Sequence, residues 1–395
     1  MKILMIGSEF KPTPAFEGGA VSTLIDNYLL HNEQTKKHDI TVYSIKSKKI
    51  SIDSLKRFQK SEFRYIDRYS LRYNIEKILR GIINRVFGAN TVERVYIRQI
   101  VADLRKRKEL TSYDIIIVEN RAIFTEYLKK ILGNKIILHL HSDSLNIKTK
   151  RAKEIIESCK EIWCVSDFIK KRVEEVIDLG NAKILYNGVD LEKFTKEITV
   201  KEKQEFLNKY NLKEEDKIIL YTGRLMPEKG VYELICAFQK LEVTTTDIKL
   251  LIVGGPKDES VNINDFVEKI YKMKSDKIIF TGELSYDDMP IAYNIADIQV
   301  VPSIVNEAFG LSVVEGMASS TALIVTNKGG IPEIVENTSI PIIDTENLTE
   351  NISVELSKLL SDEELRKRII TQAKTVSEKF SLDNYNNKID EYLSK

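Results

Sequence analysis

Short apolar runs that stop at a glycine or proline recur along this chain, and stretches with helical spacing separate them. Lys2–Gly7 is the first, and Ile40–Ile45, Asp114–Glu119, Lys135–His141 and Glu161–Val165 continue the series. Continuous apolar runs of this length read as strands buried on both faces of a parallel sheet. A loop holding Pro12, Pro14, Gly18 and Gly19 follows the first run, and a helix is predicted from about Ala20 to Leu30. The pattern restarts at Lys217: Ile218–Tyr221, Lys249–Val253, Lys277–Thr281, Ile298–Pro302 and Ala322–Thr326 are the second set of strands. Strands alternating with helices predict an α/β protein with parallel sheets. The double series predicts two Rossmann-like domains facing each other across a cleft. Tyr186-Asn-Gly-Val-Asp190 carries a turn signal before a polar, Lys-rich stretch. The boundary is placed there, with domains over 1–186 and 190–375. Tyr385, Ile389 and Tyr392 have helical spacing, so 376–395 is expected to end in a helix that returns to the N-terminal domain.

The length of 395 residues suits two or three domains, and 43% hydrophobic with 30% charged residues suits a globular protein. A net charge of +1 speaks against a nucleic-acid binder. The charge is unevenly spread: from Lys46 to Lys108 basic residues outnumber acidic ones by three to one. Within that segment Ile75, Ile78, Leu79, Ile82, Ile83, Val86 and Phe87 recur at helical spacing beside Lys77, Arg80 and Arg85, with Arg94, Arg98 and Arg105–Lys108 beyond. Two readings stand: a domain helix with its apolar face in the core, or a basic amphipathic helix in peripheral contact with an anionic membrane. Cys159, Cys164 and Cys236 have neither disulfide nor zinc spacing, and reduced thiols in the cytoplasm are expected. The apolar run at Met1–Ile6 is too short for a signal-peptide core, and no apolar stretch approaches the roughly 20 residues that span a bilayer.

Two stretches carry candidate chemistry. Gly223-Arg-Leu-Met-Pro-Glu-Lys-Gly230 follows a predicted strand and opens a helix, where backbone N–H groups and the helix dipole favour an anion. Arg224 can bind phosphate through two parallel hydrogen bonds and Lys229 adds a compact charge. The alternative is an ordinary turn with solvated charges. Glu307 and Glu315 bracket the second stretch, the first in a loop and the second about two turns into a helix. A carboxylate so placed can accept hydrogen bonds from a ribose diol. No G-x-G-x-x-G opens the first strand–helix turn, which disfavours a dehydrogenase.

Val165-Ser-Asp167, Tyr186–Asp190, Gly223–Gly230, Glu307-Ala-Phe-Gly…Glu315, Asn294-Ile-Ala-Asp297 and Gly329-Gly-Ile-Pro-Glu333 together resemble the family 4 retaining glycosyltransferases. The resemblance spans nearly the whole chain and is most specific in its second half. It implies the GT-B fold, an acceptor-binding N-terminal domain, a C-terminal domain that binds a nucleotide-sugar donor, and no metal or other cofactor. It implies that Arg224 and Lys229 hold the diphosphate, that Glu315 binds ribose, and that Glu307 contacts the transferring sugar. Ala308, Phe309, Gly310 and Leu311 are expected to pass along the donor. Gly18 and Gly19 are expected to let backbone approach a substrate, and His141 to lie near the reacting face of the sugar, with His139 on the opposite face of the sheet. Asp143 departs from the asparagine of some relatives. Retention without an evident nucleophile implies front-face attack, with the departing phosphate taking the acceptor proton. UDP-sugars come first and GDP-mannose second as donors; the acceptor is a glycan, a lipid-linked species, a cell-wall polymer or a glycoprotein. The alternatives are a nucleotide-sugar epimerase or a non-catalytic subunit of an assembly complex.

Overall fold

The computed structural model of the chain describes residues 1–50, 55–87, 94–243, 245–256 and 261–395. It divides into two compact units, Met1–Tyr186 with Asn386–Lys395, and Asn187–Tyr385. Each is built on one all-parallel sheet, and each sheet reverses its order once.

The first unit runs β1 (Lys2–Ile6), α1 (Ala20–Thr35), β2 (Asp39–Ile45), β3 (Ser61–Ile66), α2 (Leu71–Phe87), α3 (Val95–Lys106), β4 (Ile115–Glu119), β5 (Ile136–Leu140), β6 (Glu161–Cys164) and β7 (Ala182–Ile184). The strand order is β3-β2-β1-β4-β5-β6-β7. Ile3, Leu4 and Ile6 are completely buried, and all five residues of β4 and β5 are buried. Side chains removed from water on both faces of a sheet each contribute about 1.5–3 kcal/mol, which is why these strands read as unbroken apolar runs. Register is set accordingly, with Leu4 opposite Ile116 and Ile6 opposite Val118.

The second unit repeats the plan: β8 (Lys217–Thr222), α4 (Val231–Leu241), β9 (Ile248–Val253), β10 (Ile278–Gly282), β11 (Ile298–Val301), α5 (Leu311–Ala318), β12 (Ala322–Thr326) and β13 (Ile342–Ile343). Its strand order is β10-β9-β8-β11-β12-β13. Both sheets therefore carry the doubly wound order of a Rossmann domain. The last helix, α6 (Leu382–Leu393), passes from one unit to the other. Its final residues are held in the first unit: Asp390 accepts from the Tyr28 hydroxyl at 3.0 Å and pairs with Lys37 at 2.6 Å, while the Tyr392 hydroxyl donates to the Ile184 carbonyl at 2.7 Å.

Three strands have no counterpart in the sequence reading. β3 is an edge strand whose sequence, Ser-Glu-Phe-Arg-Tyr-Ile, alternates in polarity and is mostly half-buried. β7 and β13 are three and two residues long, also at edges. None offers the continuous apolar run that marks an interior strand.

The basic helix α2 overturns one of its two readings. Leu71, Ile75, Ile78, Leu79 and Ile82 are all exposed, so this apolar face is not in the core. The side chains of Ile83, Val86 and Phe87, and residues 51–54 and 88–93 of the same basic segment, lie outside the described residues. Among the described residues no helix is long and apolar enough to cross a membrane. Cys159 and Cys164 are buried thiols and Cys236 is half-buried; none is disulfide-bonded.

Candidate functional site

In a doubly wound sheet the loops beyond the strand ends diverge where the order reverses, and the crevice between them is the usual ligand site. In the second unit that point lies between β8 and β11. The loop after β8 is fastened by backbone: Gly223 N–H donates to Val253 O at 3.0 Å, and Leu225 N–H to Gly255 O at 2.9 Å. The Tyr221 hydroxyl donates to the Arg224 carbonyl at 2.8 Å, while the Arg224 side chain stays exposed. A 3₁₀ turn over Pro227–Lys229 follows, and α4 begins only after Gly230. Gly230 has φ 68°, and a Cβ there would stand 2.0 Å from the Pro302 carbonyl oxygen at the end of β11. The position therefore demands glycine twice over, for its left-handed backbone and for close approach.

The loop after β11 comes to meet it. Ile304 N–H donates to Glu228 O at 2.9 Å. Lys229 Nζ and the Ser303 hydroxyl both donate to Glu307 Oε1, each at 2.5 Å. Glu307 is also held through its backbone, since Gly330 N–H donates to its carbonyl at 2.8 Å. At Gly329, φ 62°, a Cβ would stand 2.6 Å from Glu307 N. Lys229 and Glu307, 78 residues apart, are thus joined at the switch point.

Phe309 turns its ring into the unit, 3% exposed and edge-on to Phe380 at 5.6 Å. Ala308 precedes it half-buried, Gly310 caps α5 with φ 141°, and Leu311 is the first helical residue. Glu315, one turn further, does not join the Lys229–Glu307 pair. Its Oε2 accepts from the Tyr293 hydroxyl at 2.8 Å, and that hydroxyl lies 2.9 Å from Thr222 Oγ1 at the end of β8. Gln299 extends the network, donating to Thr222 Oγ1 at 3.3 Å and to the Ser312 carbonyl at 3.0 Å. The side chain of Glu315 keeps some exposed surface yet is closely ringed by protein. Desolvation raises its carboxyl to about 7, against a smaller downward pull from Tyr293.

The first unit reverses between β1 and β4, and its polar groups gather at the same two strand ends. After β1, Glu9 is buried against Arg121 from the loop after β4, and Arg68 donates to the Glu9 carbonyl. Burial raises the Glu9 carboxyl despite the Arg121 charge. Gly18 and Gly19, with φ 66° and 119°, lie exposed just before α1. Glu119, the last residue of β4, is 3% exposed and faces two imidazoles: His139 Nδ1 at 3.0 Å and His141 Nε2 at 2.8 Å. The two rings lie 4.0 Å apart. His139 and His141 therefore share one face of the sheet, correcting the expectation of opposite faces: residues two apart in a strand point the same way.

Burial alone would raise the Glu119 carboxyl, but the two histidines outweigh it and hold it at about 2. An ionised carboxylate only accepts, so His139 Nδ1 and His141 Nε2 must each carry a proton. Asn120, with φ 56°, accepts from His141 N–H at 3.0 Å and from the Ser142 hydroxyl at 2.9 Å. The three ligand atoms of Glu119, His139 and His141 fall within 4.8 Å of one another, a set that could also hold a metal ion. The hydrogen-bond distances account for the cluster without one.

Sequence reading missed Ser303, Tyr293, Glu119 and the Glu9–Arg121 pair. Glu119 and Glu9 do leave a signal, a carboxylate at or just past the end of an apolar strand. Tyr293 leaves none, because its role comes from a helix whose distance to Glu315 only the fold sets.

Residues 202–376 match the model of the family described as Glycosyl transferases group 1. The chain is 29% identical over 388 residues to the putative glycosyltransferase YtcC of Bacillus subtilis, covering 95% of this chain and 87% of that protein. It is 28% identical over 302 residues to the lipopolysaccharide 1,2-N-acetylglucosaminetransferase of Salmonella typhimurium, covering 75% and 76%. The structure of Anabaena Alr3699/HepE in complex with UDP and glucose superposes with a TM-score of 0.74 at 17% identity, covering all of both chains. The second unit thus carries a glycosyltransferase group 1 domain, and the two Rossmann-like units have the fold of GT-B glycosyltransferases.

Proposed function

We propose that this protein is a retaining glycosyltransferase of the family 4 type. It transfers a hexose or N-acetylhexosamine from a nucleotide-diphosphate sugar, UDP-linked first of all, to a glycan, glycolipid, cell-wall polymer or glycoprotein acceptor. The observation that carries the reading is the convergence of Lys229 and Glu307 at the switch point of the second unit, with Glu315 on the helix that follows. Relatives that bear transferase names along most of the chain support it, and the UDP and glucose bound to Alr3699/HepE support the donor class.

In this reading Arg224 and Lys229 hold the diphosphate and offset the charge that builds as the anomeric C–O bond breaks. No metal is then required. Glu315 accepts hydrogen bonds from the ribose hydroxyls, and Glu307 is handed from Lys229 and Ser303 to the hydroxyls of the sugar. The acceptor oxygen bonds to the anomeric carbon on the face the phosphate leaves, and its proton passes to the departing phosphate oxygen. The backbone of Ala308–Leu311 lines the donor. The first unit binds the acceptor, with Gly18, Gly19 and a His141 fixed in one tautomer by Glu119 as its contribution. The unbridged cysteines support a cytoplasmic protein. Proton NMR of an early product tests the stereochemistry: a product with the donor's anomeric configuration supports retention, and an inverted one overturns it.

A further inference from the structure

Helix α2 is mounted inside out. At about 100° per residue, Leu71, Ile75, Ile78, Leu79 and Ile82 fall on one stripe roughly 100° wide. They are 77%, 47%, 64%, 55% and 57% exposed. Among the described side chains, the side turned to the protein is polar: Glu76 meets Arg98 at 3.3 Å and Gln99 on α3, and Tyr73 and Arg80 are half-buried beside it. An ordinary surface helix does the reverse. Tyr69, 88% exposed, stands just ahead of the stripe.

Cations edge the apolar stripe. Arg72 and Arg85 lie on its two margins by the same helical count, and both are exposed. Arg72 also lines a cavity of about 400 Å³ with Lys106, beside the Arg64–Glu62 and Arg107–Asp103 ion pairs, and Arg105–Lys108 at the end of α3 are exposed. We propose that α2 is a membrane-docking helix that lies in the interface of a bilayer rich in anionic lipid, apolar stripe in the acyl boundary and arginines among the headgroups. An exposed aliphatic stripe with basic margins is the pattern that partitions into such an interface. A second copy of the chain is the wrong occupant, because a two-fold contact would set the same cations against themselves. The proposal stands whether or not the transferase reading does.

The test is co-sedimentation of the full chain with vesicles of pure phosphatidylcholine and of phosphatidylcholine with phosphatidylglycerol. The expected result is binding to the anionic vesicles that weakens with salt. Ile78→Asp/Ile82→Asp should lower the partition coefficient by roughly tenfold or more, since apolar burial is lost. Arg72→Gln and Arg85→Gln should each lower it by about fivefold, the value of one basic residue near an anionic surface. These side chains are exposed, so melting should not move, which separates lost docking from lost folding. Wild type left in the supernatant with both vesicle types would overturn the proposal. So would variants that bind as wild type, or a concentration-dependent dimer in sedimentation velocity that Ile78→Asp/Ile82→Asp abolishes.

Discussion

Glu315 and Glu119 are both carboxylates at strand-end clusters, yet their surroundings drive them in opposite directions. Glu315 has one neutral hydroxyl partner, so desolvation prevails and its carboxyl rises to about 7. A ribose diol would favour the ionised form. Nucleotide binding below about pH 7 should therefore release a proton, which calorimetry in buffers of different ionisation enthalpy reads directly. Unchanged heats across buffers would detach Glu315 from the donor. Glu315→Ala should weaken donor binding by roughly 10- to 100-fold, the loss of hydrogen bonds to a charged group. In the free protein a raised carboxyl has the opposite sign from a paired one: its protonated form is favoured by folding, so stability falls as pH rises from the unfolded value toward 7. Glu119 is depressed to about 2 by its two histidines, so its contribution is full above the unfolded carboxyl value and lost as pH falls below it. Glu119→Ala leaves two buried imidazoles without their acceptor and should cost roughly 2–3 kcal/mol in urea unfolding. Because hydrogen bonds already account for this trio, dialysis against EDTA should change neither melting temperature nor activity. A fall in both, restored by one divalent ion, would make Glu119, His139 and His141 a metal site.

At the scale of elements, legibility followed burial. β1, β4, β5, β8, β9, β11 and β12 lie within the two sheets, and apolar residues dominate their sequences, so each could be read directly. Three of the four edge strands could not, since a half-exposed strand such as Ser61–Ile66 has no run to detect, whereas β10 at the fourth edge keeps the apolar Ile278-Ile-Phe280 and could. The loops were legible by their glycines: Gly230 and Gly329 stand where a Cβ would strike a neighbouring backbone, and each holds one partner of the Lys229–Glu307 pair. The pairing itself was not, because it joins two loops through the sheet order rather than through spacing. Helix α2 shows the limit of periodicity, which finds an apolar face without saying which way it points. The end of α6 offers a separate check. Asp390 is buried, and pairing with Lys37, His31 and Tyr28 outweighs desolvation and lowers its carboxyl. Asp390→Asn should destabilise the protein by about 1–2 kcal/mol near neutral pH. That difference should shrink as pH drops below about 4 and vanish once pH has fallen through the depressed value of the folded carboxyl. A deficit that persists at low pH would assign the loss to packing.

For the molecule as a whole, one plan was written twice. Both sheets reverse between their first and fourth strands, and in both the charged residues gather at that reversal: Glu9 with Arg121 in the first unit, Lys229 with Glu307 in the second. The second of these sites is the one proposed to bind a nucleotide sugar. The most direct measurement is a donor panel, thermal stabilisation and slow hydrolysis with UDP-, GDP-, ADP- and CMP-sugars, on wild type and Glu315→Ala. Stabilisation and hydrolysis by one nucleotide sugar, UDP-linked first, with both effects lost in Glu315→Ala, is the result predicted. A wild-type protein that none of the four stabilises would contradict the account and bring forward a non-catalytic subunit of an assembly complex.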